Sequence, residues 1–511
     1  MDLLKFSMPI KVLSAALIGL DAEIIEVEAD SGGGDFGQIS IVGLPDAAIS
    51  EAKERVKSVL RNCQLPYPRR KITVNLAPAD LRKHGPSYDL PIAVSILALK
   101  NNFKINFKEC LIAGELSLGG DVRPVNGILS LAIKAKQEKI NNLFIPALNC
   151  QEANLIQGIN IYPVKTLDQL IKHFTKQKLI EIFQLKQISA PTNSCCADFS
   201  EIKGQEKAKR ALEITAAGGH NLLLFGPPGS GKTLLAKAIS SILPSLSLEE
   251  KLEITKIYSV AGKLDKNNSL IISRPFRSPH HSASSASLVG GGACPRPGEI
   301  SLAHRGILFL DEFPEFSRNS LENLRQPLEE GAISINRANY SLKFPAQFML
   351  IAAMNPCPCG YFGDKINNCL CKPSKIANYK QKISGPILDR IDLHVEVPAI
   401  TFEKLNNEQT SESSKLIRVR VERARHKQIR RYQKYNYSIN SEMTQEAIKK
   451  FCKLEISSQN LIKTAVKKYK LSARSYFRVL KLARTIADLA DSCDIKLEHL
   501  AEALQYRPKL E

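Results

Sequence analysis

The sequence predicts a multidomain α/β protein with a parallel-sheet core and a helical C-terminal region. Three observations carry that reading. Up to about residue 175, short β-like runs alternate with helical patterns. From 201 to 400, apolar strand-like runs alternate with helices, the texture of a parallel sheet with crossover helices. After Pro398 the pattern becomes almost wholly helical. A chain of 511 residues also has room for roughly two to four folding units, each large enough to bury a core.

In chain order, the block 1–175 holds strand-like Ile24–Val27, Gln38–Val42, Ile72–Leu76, Leu111–Ala113 and Asn142–Ile145, with helical Ala47–Leu60 and Leu90–Leu99. Residues 176–200 are expected to be a linker, because periodicity is lost and turn formers gather from Ile188 to Asp198. The block 201–400 holds the strands Asn221–Phe225, Gly306–Leu310 and Phe348–Ala353. Residues 401–511 form the helical block, with long charged segments at Ser411–Lys434 and Ser472–Ala490.

Composition narrows the class. With 44% hydrophobic residues and a net charge of +20, the chain is too apolar for disorder and too charged for a membrane bundle. No apolar run reaches the ~18 to 20 residues of a membrane span. The run Val12–Leu20 continues into strand-like alternation at Ala22–Glu28, which argues against a secretory signal. Twelve cysteines in this length are too sparse for a disulfide scaffold, so a reducing compartment, the cytoplasm, is expected. From Thr401 onward 24 Lys+Arg face 13 Asp+Glu, so more than half of the net charge lies in the last block. Such a basic face suits a polyanion, with nucleic acid foremost, and a solvated helical surface fits equally well.

The chemistry starts at Asn221–Phe225, followed at once by Gly226, Pro227, Pro228, Gly229, Ser230, Gly231, Lys232 and Thr233, and then by helical Leu234–Ile239. Strand, glycine loop and helix arrive in the order a phosphate cradle needs. Glycines let backbone N–H groups curl around phosphate oxygens, and the helix N-terminus contributes a positive dipole end. Lys232 would balance the β/γ-phosphate charge, and Thr233 would offer its hydroxyl to Mg²⁺. Gly306–Leu310 ends in Asp311 and Glu312. There Asp311 would hold hydrated Mg²⁺ and Glu312 would polarise the attacking water; the plainer alternative is a strand ending in two solvated acids. The strand Phe348–Met354 leads to Asn355, whose amide would orient that water and sense the γ-phosphate. Arg390, at an expected domain edge, is a candidate arginine acting across a subunit boundary; its alternative is an ion pair with Asp389 or Asp392.

The ordered set Gly226–Thr233, Asp311-Glu312, Asn355, Arg390 and Leu471-Ser-Ala-Arg474 resembles an AAA+ ATPase. The resemblance casts these as Walker A, Walker B, sensor 1, arginine finger and, for Arg474, sensor 2. Arg274–His281, Gly290–Gly292, Pro297–Ala303 and Leu324–Leu328 resemble the magnesium-chelatase-like branch. Val42–Pro45 and Asn75–Asp80 narrow the likeness to YifB/ComM-type proteins over nearly the whole chain. What this implies is a homo-oligomeric ring, a hexamer, hydrolysing ATP between subunits and driving DNA branch migration during recombination of taken-up DNA. The same fold also admits a magnesium-chelatase motor acting on a protein partner, or a protein-remodelling ATPase.

Lys83–Ala93 and Gly114–Val125 resemble the Lon protease fold, which makes the N-terminal block an expected Lon-protease-like α+β domain and the C-terminal block an α-helical lid. Ser87 falls where a Ser/Lys protease has its nucleophile, but Leu131 takes the lysine's place, and Lys134 would serve only in a shifted register. A scaffold without peptidase activity is therefore expected. Cys357, Cys359, Cys369 and Cys371 form two Cys-x-Cys pairs that could close around Zn²⁺ or stand as unligated thiols. Cys195-Cys196 reads as incidental. By analogy with related rings, Arg274, Arg277, His280, His281 and a hairpin at Arg337–Lys343 are expected DNA-gripping elements, single-stranded or branched. The helix Arg418–Tyr432 suits phosphate contact or a solvated lid.

Overall fold

The computed structural model describes residues 9–32, 37–44, 46–66, 70–101, 103–184, 197–265, 269–292, 295–337, 340–364, 367–399, 412–469 and 471–507. Of the expected linker 176–200, residues 185–196, including Cys195-Cys196, lie outside them. Two compact units form: the described residues of 1–190, 251–271 and 293–296, and those of 191–250, 272–292 and 297–511.

The first unit is built on a seven-stranded mixed sheet in the order Ile39–Val42, Lys71–Ala77, Asp21–Gly32, Ile10–Ile18, Cys110–Ile112, Asn142–Pro146, Asn160–Val164. Ile10–Ile18 and Asp21–Gly32 are an antiparallel hairpin turned at Gly19, whose φ of +64° suits a residue without Cβ. In Lys71–Ala77 the alternation is strict, with Ile72, Val74 and Leu76 fully buried on one face. The helices Ala47–Asn62 and Asp89–Ala98 are tied by a bidentate pair in which Arg55 Nε and Nη2 donate to Asp89 at 2.9 and 3.0 Å. Asp46 caps the first of them by accepting from Ile49 N at 2.8 Å. Most of the helix Leu248–Ala261 also belongs here: the buried Glu152 carboxylate accepts from Leu129 N at 2.8 Å and from the Ser259 hydroxyl.

The second unit carries a five-stranded parallel sheet in the order Phe276–Arg277, Ile307–Leu310, Met349–Met354, Leu222–Phe225, Leu393–Glu396. Its central strands are apolar on both faces because helices cover both, as parallel crossovers require. The helices Glu206–Gly218 and Lys232–Ile242 share one apolar core with Ser414–Arg431 and Ala473–Leu489 of the C-terminal helical region. Mixed α/β architecture with a parallel sheet and a helical C-terminal region is thus present. Among the described residues no helix is long and apolar enough to cross a membrane.

Candidate functional site

In this sheet the carboxyl ends of three neighbouring strands converge, the place where open α/β folds bind ligands. Leu222–Phe225 runs into the loop 226–231 and then into the helix Lys232–Ile242. Glycine is required at Gly226, because a Cβ there would fall 2.0 Å from the Val397 carbonyl oxygen. It is equally required at Gly231, the N-cap, whose φ is +83°. At Gly229 a Cβ would meet nothing within 4 Å, so the crest of the loop faces open space.

Lys232 is buried, and its Nζ donates to the carbonyls of Gly226 and Pro227, both at 2.7 Å, and to Asn355 Oδ1 at 3.2 Å. Burial pulls its pKa down, opposed by the charge of Asp311. Thr233 Oγ1 donates to Asp311 Oδ2 at 2.7 Å. The structure therefore brings Lys232, Thr233, Asp311 and Asn355 together, although 123 positions separate the outermost of them. Glu312, at φ +51°, has its carboxylate more than half exposed, and Oε2 lies 3.1 Å from Nδ1 of His281.

Arg390 is buried and already paired. Its side chain is 4% exposed; it donates to the Pro386 carbonyl at 2.5 Å and pairs with Glu329, not with Asp389 or Asp392. The reason is local: Ile387 and Ile391 pack into the core and turn the intervening arginine inward. Arg474, 61% exposed, reaches the same Glu329 Oε1 at 3.1 Å. Glu329, which joins these two, carried no motif signal beyond its closeness to Leu324–Leu328. Asp392 is instead held by Arg478 at 2.7 Å and His220 at 3.3 Å.

Known proteins match this chain over nearly its whole length. The family described as magnesium chelatase, subunit ChlI, matches residues 198–405, with related ChlI descriptions matching 25–149 and 411–507. The competence protein ComM of Haemophilus influenzae is 43% identical over 503 residues, covering 97% of each chain. The uncharacterized protein YifB of Escherichia coli is 42% identical over 498 residues, 97% of this chain and 96% of its own. A magnesium-chelatase 67 kDa subunit of Chlorobaculum parvum is 27% identical over 164 residues, 31% of this chain and 23% of its own. The chain belongs to the ComM/YifB family of magnesium-chelatase-like AAA+ proteins. Membership of this AAA+ family implies ATPase activity.

Within this ComM/YifB chain, the expected gripping residues are already engaged. Arg274 donates to the carbonyls of Pro244 and Arg305 at 2.8 and 2.7 Å and pairs with Glu250 at 3.1 Å. Arg277 makes a two-pronged pair with Glu299 at 2.6 and 2.8 Å. These forks satisfy partly buried guanidinium groups that would otherwise be costly, so both arginines brace the fold. His281 faces Glu312. The hairpin forms, pairing Ala332–Arg337 with Tyr340–Pro345, while its tip, 338–339, lies outside the described residues. On the helix Ser414–Arg431, Arg420 pairs with Glu213 at 2.7 Å, Arg425 donates to the Ala216 carbonyl at 2.7 Å, and Arg431 pairs with Asp488 at 2.8 Å. Arg423 and Arg430 of the same helix are exposed.

Four cysteines gather beside the loop 226–231, where Gly360 lies against Pro228. Cys357 Sγ lies 3.3 Å from Cys359 Sγ and 3.7 Å from Cys369 Sγ, Cys359 and Cys369 are 3.6 Å apart, and Cys371 completes a group within 4.8 Å that could hold a metal. In the first unit, Leu131 is buried in the core on the helix Ile128–Gln137. Lys134 pairs with Glu23 at 3.0 Å and Glu138 at 3.1 Å, hydrogen bonds that raise its pKa and keep it protonated. Lys134 is therefore unsuited to act as a base for Ser87.

Proposed function

We propose that the chain is an ATP-driven motor that assembles into a ring, most simply a hexamer, and promotes DNA branch migration during recombination of incoming DNA. The observation that carries the ATPase half is the meeting of Lys232, Thr233, Asp311 and Asn355 at the carboxyl end of one parallel sheet. The DNA half draws on the likeness to a competence protein over 97% of both chains and on the basic C-terminal block. The chelatase-motor reading has weaker support: the chain matches magnesium-chelatase family descriptions, but the likeness to the Chlorobaculum parvum chelatase subunit covers 31% of this chain and 23% of that subunit, against 97% of both chains for the competence protein.

The donor set fits a triphosphate with a divalent ion. The loop crest is open at Gly229, the Lys232 amine sits at the base of the loop, and the hydroxyl of Thr233 and carboxylate of Asp311 are both hard oxygen ligands. When bound, Mg²⁺ neutralises developing charge on the β/γ oxygens. Lys232 would exchange its carbonyl partners for phosphate oxygens, and Glu312 would draw a proton from water attacking the γ-phosphorus. Asn355, already hydrogen-bonded to Lys232, would orient that water. Arg390 and Arg474 are candidates for contacting phosphate across a subunit boundary, Arg390 only after release from Glu329. The first unit serves, in this reading, as a Lon-protease-like scaffold for assembly or DNA contact, without peptidase activity.

The test is ATP turnover by the full chain with four-way junctions, duplex and single strands, each paired with a strand-exchange readout. Stimulation and exchange on branched DNA are expected. Turnover indifferent to every DNA form overturns the motor reading, and stimulation by a chelatase partner alone would replace it.

A further inference from the structure

We propose that Cys357, Cys359, Cys369 and Cys371 bind one structural Zn²⁺, and that the loop closed by this metal braces the phosphate-binding loop through Gly360 and Pro228. The bracing half rests on the nucleotide-site reading above; the metal half does not.

Geometry selects the ion. A tetrahedral Zn²⁺ with four thiolates at about 2.3 Å sets its sulfurs about 3.8 Å apart. Three of the separations here are 3.3, 3.7 and 3.6 Å, with the fourth sulfur inside the same 4.8 Å group. Three sulfurs mutually this close surround a common centre, an arrangement that pairwise disulfides do not produce. An all-thiolate set favours zinc over hard cations, and four protein ligands leave no open position, as in structural sites.

The loop then reaches the nucleotide site at two points. Cys357, fully buried, follows two residues after Asn355, whose Oδ1 accepts from Lys232. Gly360, next to Cys359, has φ +88°, and a Cβ there would come within 2.5 Å of both Cδ and Cγ of Pro228. The backbone thus lies directly against the phosphate loop, at a distance only glycine permits. Four metal bonds supply the rigidity that this short irregular segment lacks by itself.

The experiment measures metal content and ATP affinity separately on the full chain. Elemental analysis should find one zinc per chain, X-ray absorption four sulfurs at about 2.3 Å, and the double variant Cys369→Ser/Cys371→Ser no zinc. Reversible extraction of the wild-type metal with a mercurial should weaken binding of a fluorescent ATP analogue about tenfold, with recovery on thiol reduction and Zn²⁺ addition. Gly360→Ala should keep the zinc and still weaken ATP binding. A wild-type chain without zinc, or with iron in its place, overturns the metal site. Zinc present with ATP affinity unchanged after extraction and in Gly360→Ala overturns the brace. Failure of the DNA-motor reading would appear instead as turnover indifferent to DNA, with the zinc content untouched.

Discussion

Nδ1 of His281 lies 3.1 Å from Oε2 of Glu312. His281 belongs to the segment that follows the edge strand Phe276–Arg277, and Glu312 follows the neighbouring strand Ile307–Leu310. The imidazole is thus an anchor for a carboxylate that is otherwise largely in solvent. If Glu312 activates water, loss of its anchor lets it sample unproductive positions. His281→Ala is expected to lower kcat roughly tenfold with KM for ATP little changed, because no phosphate ligand is lost. A rise in KM with kcat intact would assign His281 to nucleotide binding instead.

Lys232→Ala should abolish ATP binding and turnover together, since the ammonium that Gly226, Pro227 and Asn355 hold is removed. Glu312→Gln should retain binding yet lose roughly 10² or more in turnover, the usual worth of a general base. Nucleotide binding and single-turnover hydrolysis separate the two; turnover retained in both variants would refute the site assignment.

The sharing of Glu329 by Arg390 and Arg474 predicts unequal effects on stability. Glu329→Ala strands the nearly buried Arg390 charge and should cost about 1–3 kcal/mol, less than a fully buried pair because Glu329 itself is partly in solvent. Arg474→Ala, at the exposed end, should cost below about 1 kcal/mol. Urea midpoints measure both. Mixing Arg390→Ala with Lys232→Ala subunits then asks about action across the boundary: recovered turnover requires Arg390 to leave Glu329, and no recovery at any ratio leaves it an internal brace.

Stability should fall on the acid side. Burial, together with the neighbouring Arg507, lowers the His394 pKa to about 4, below the roughly 6.5 of an unfolded chain. The neutral ring is favoured in the fold, so its contribution is complete above pH ~6.5 and is lost as pH falls towards 4, by roughly 3 kcal/mol in all. Asp392 adds to this further down: burial raises its pKa, but Arg478 and His220 outweigh burial and hold it well below the carboxylate range. Its contribution is present above about pH 4 and lost below. Denaturation midpoints across pH 4–7 should therefore flatten in His394→Phe; an unchanged slope would remove His394 as the cause.

The strand, glycine loop and helix at 222–242, the strand ending at Asp311 and Glu312, and the paired cysteines were legible in the amino-acid order alone. Each is a short contiguous pattern in which turn geometry, strand polarity and ligand type are local properties of adjacent residues. The strands Ile24–Val27 and Ile72–Leu76 were legible for a similar reason, since alternation is written into neighbouring positions. Partner choice was not. Arg274 and Arg277 read as polymer contacts, Arg425 as part of a phosphate-contacting or solvated helix, and Arg390 as a cross-subunit arginine or a partner of Asp389 or Asp392, whereas the fold engages the four with Glu250, Glu299, the Ala216 carbonyl and Glu329. His281 read as a polymer contact and faces Glu312. A guanidinium carries the same charge in any setting. Only the packing of distant segments determines which acid it meets, how much water it loses, and whether it remains available for another molecule.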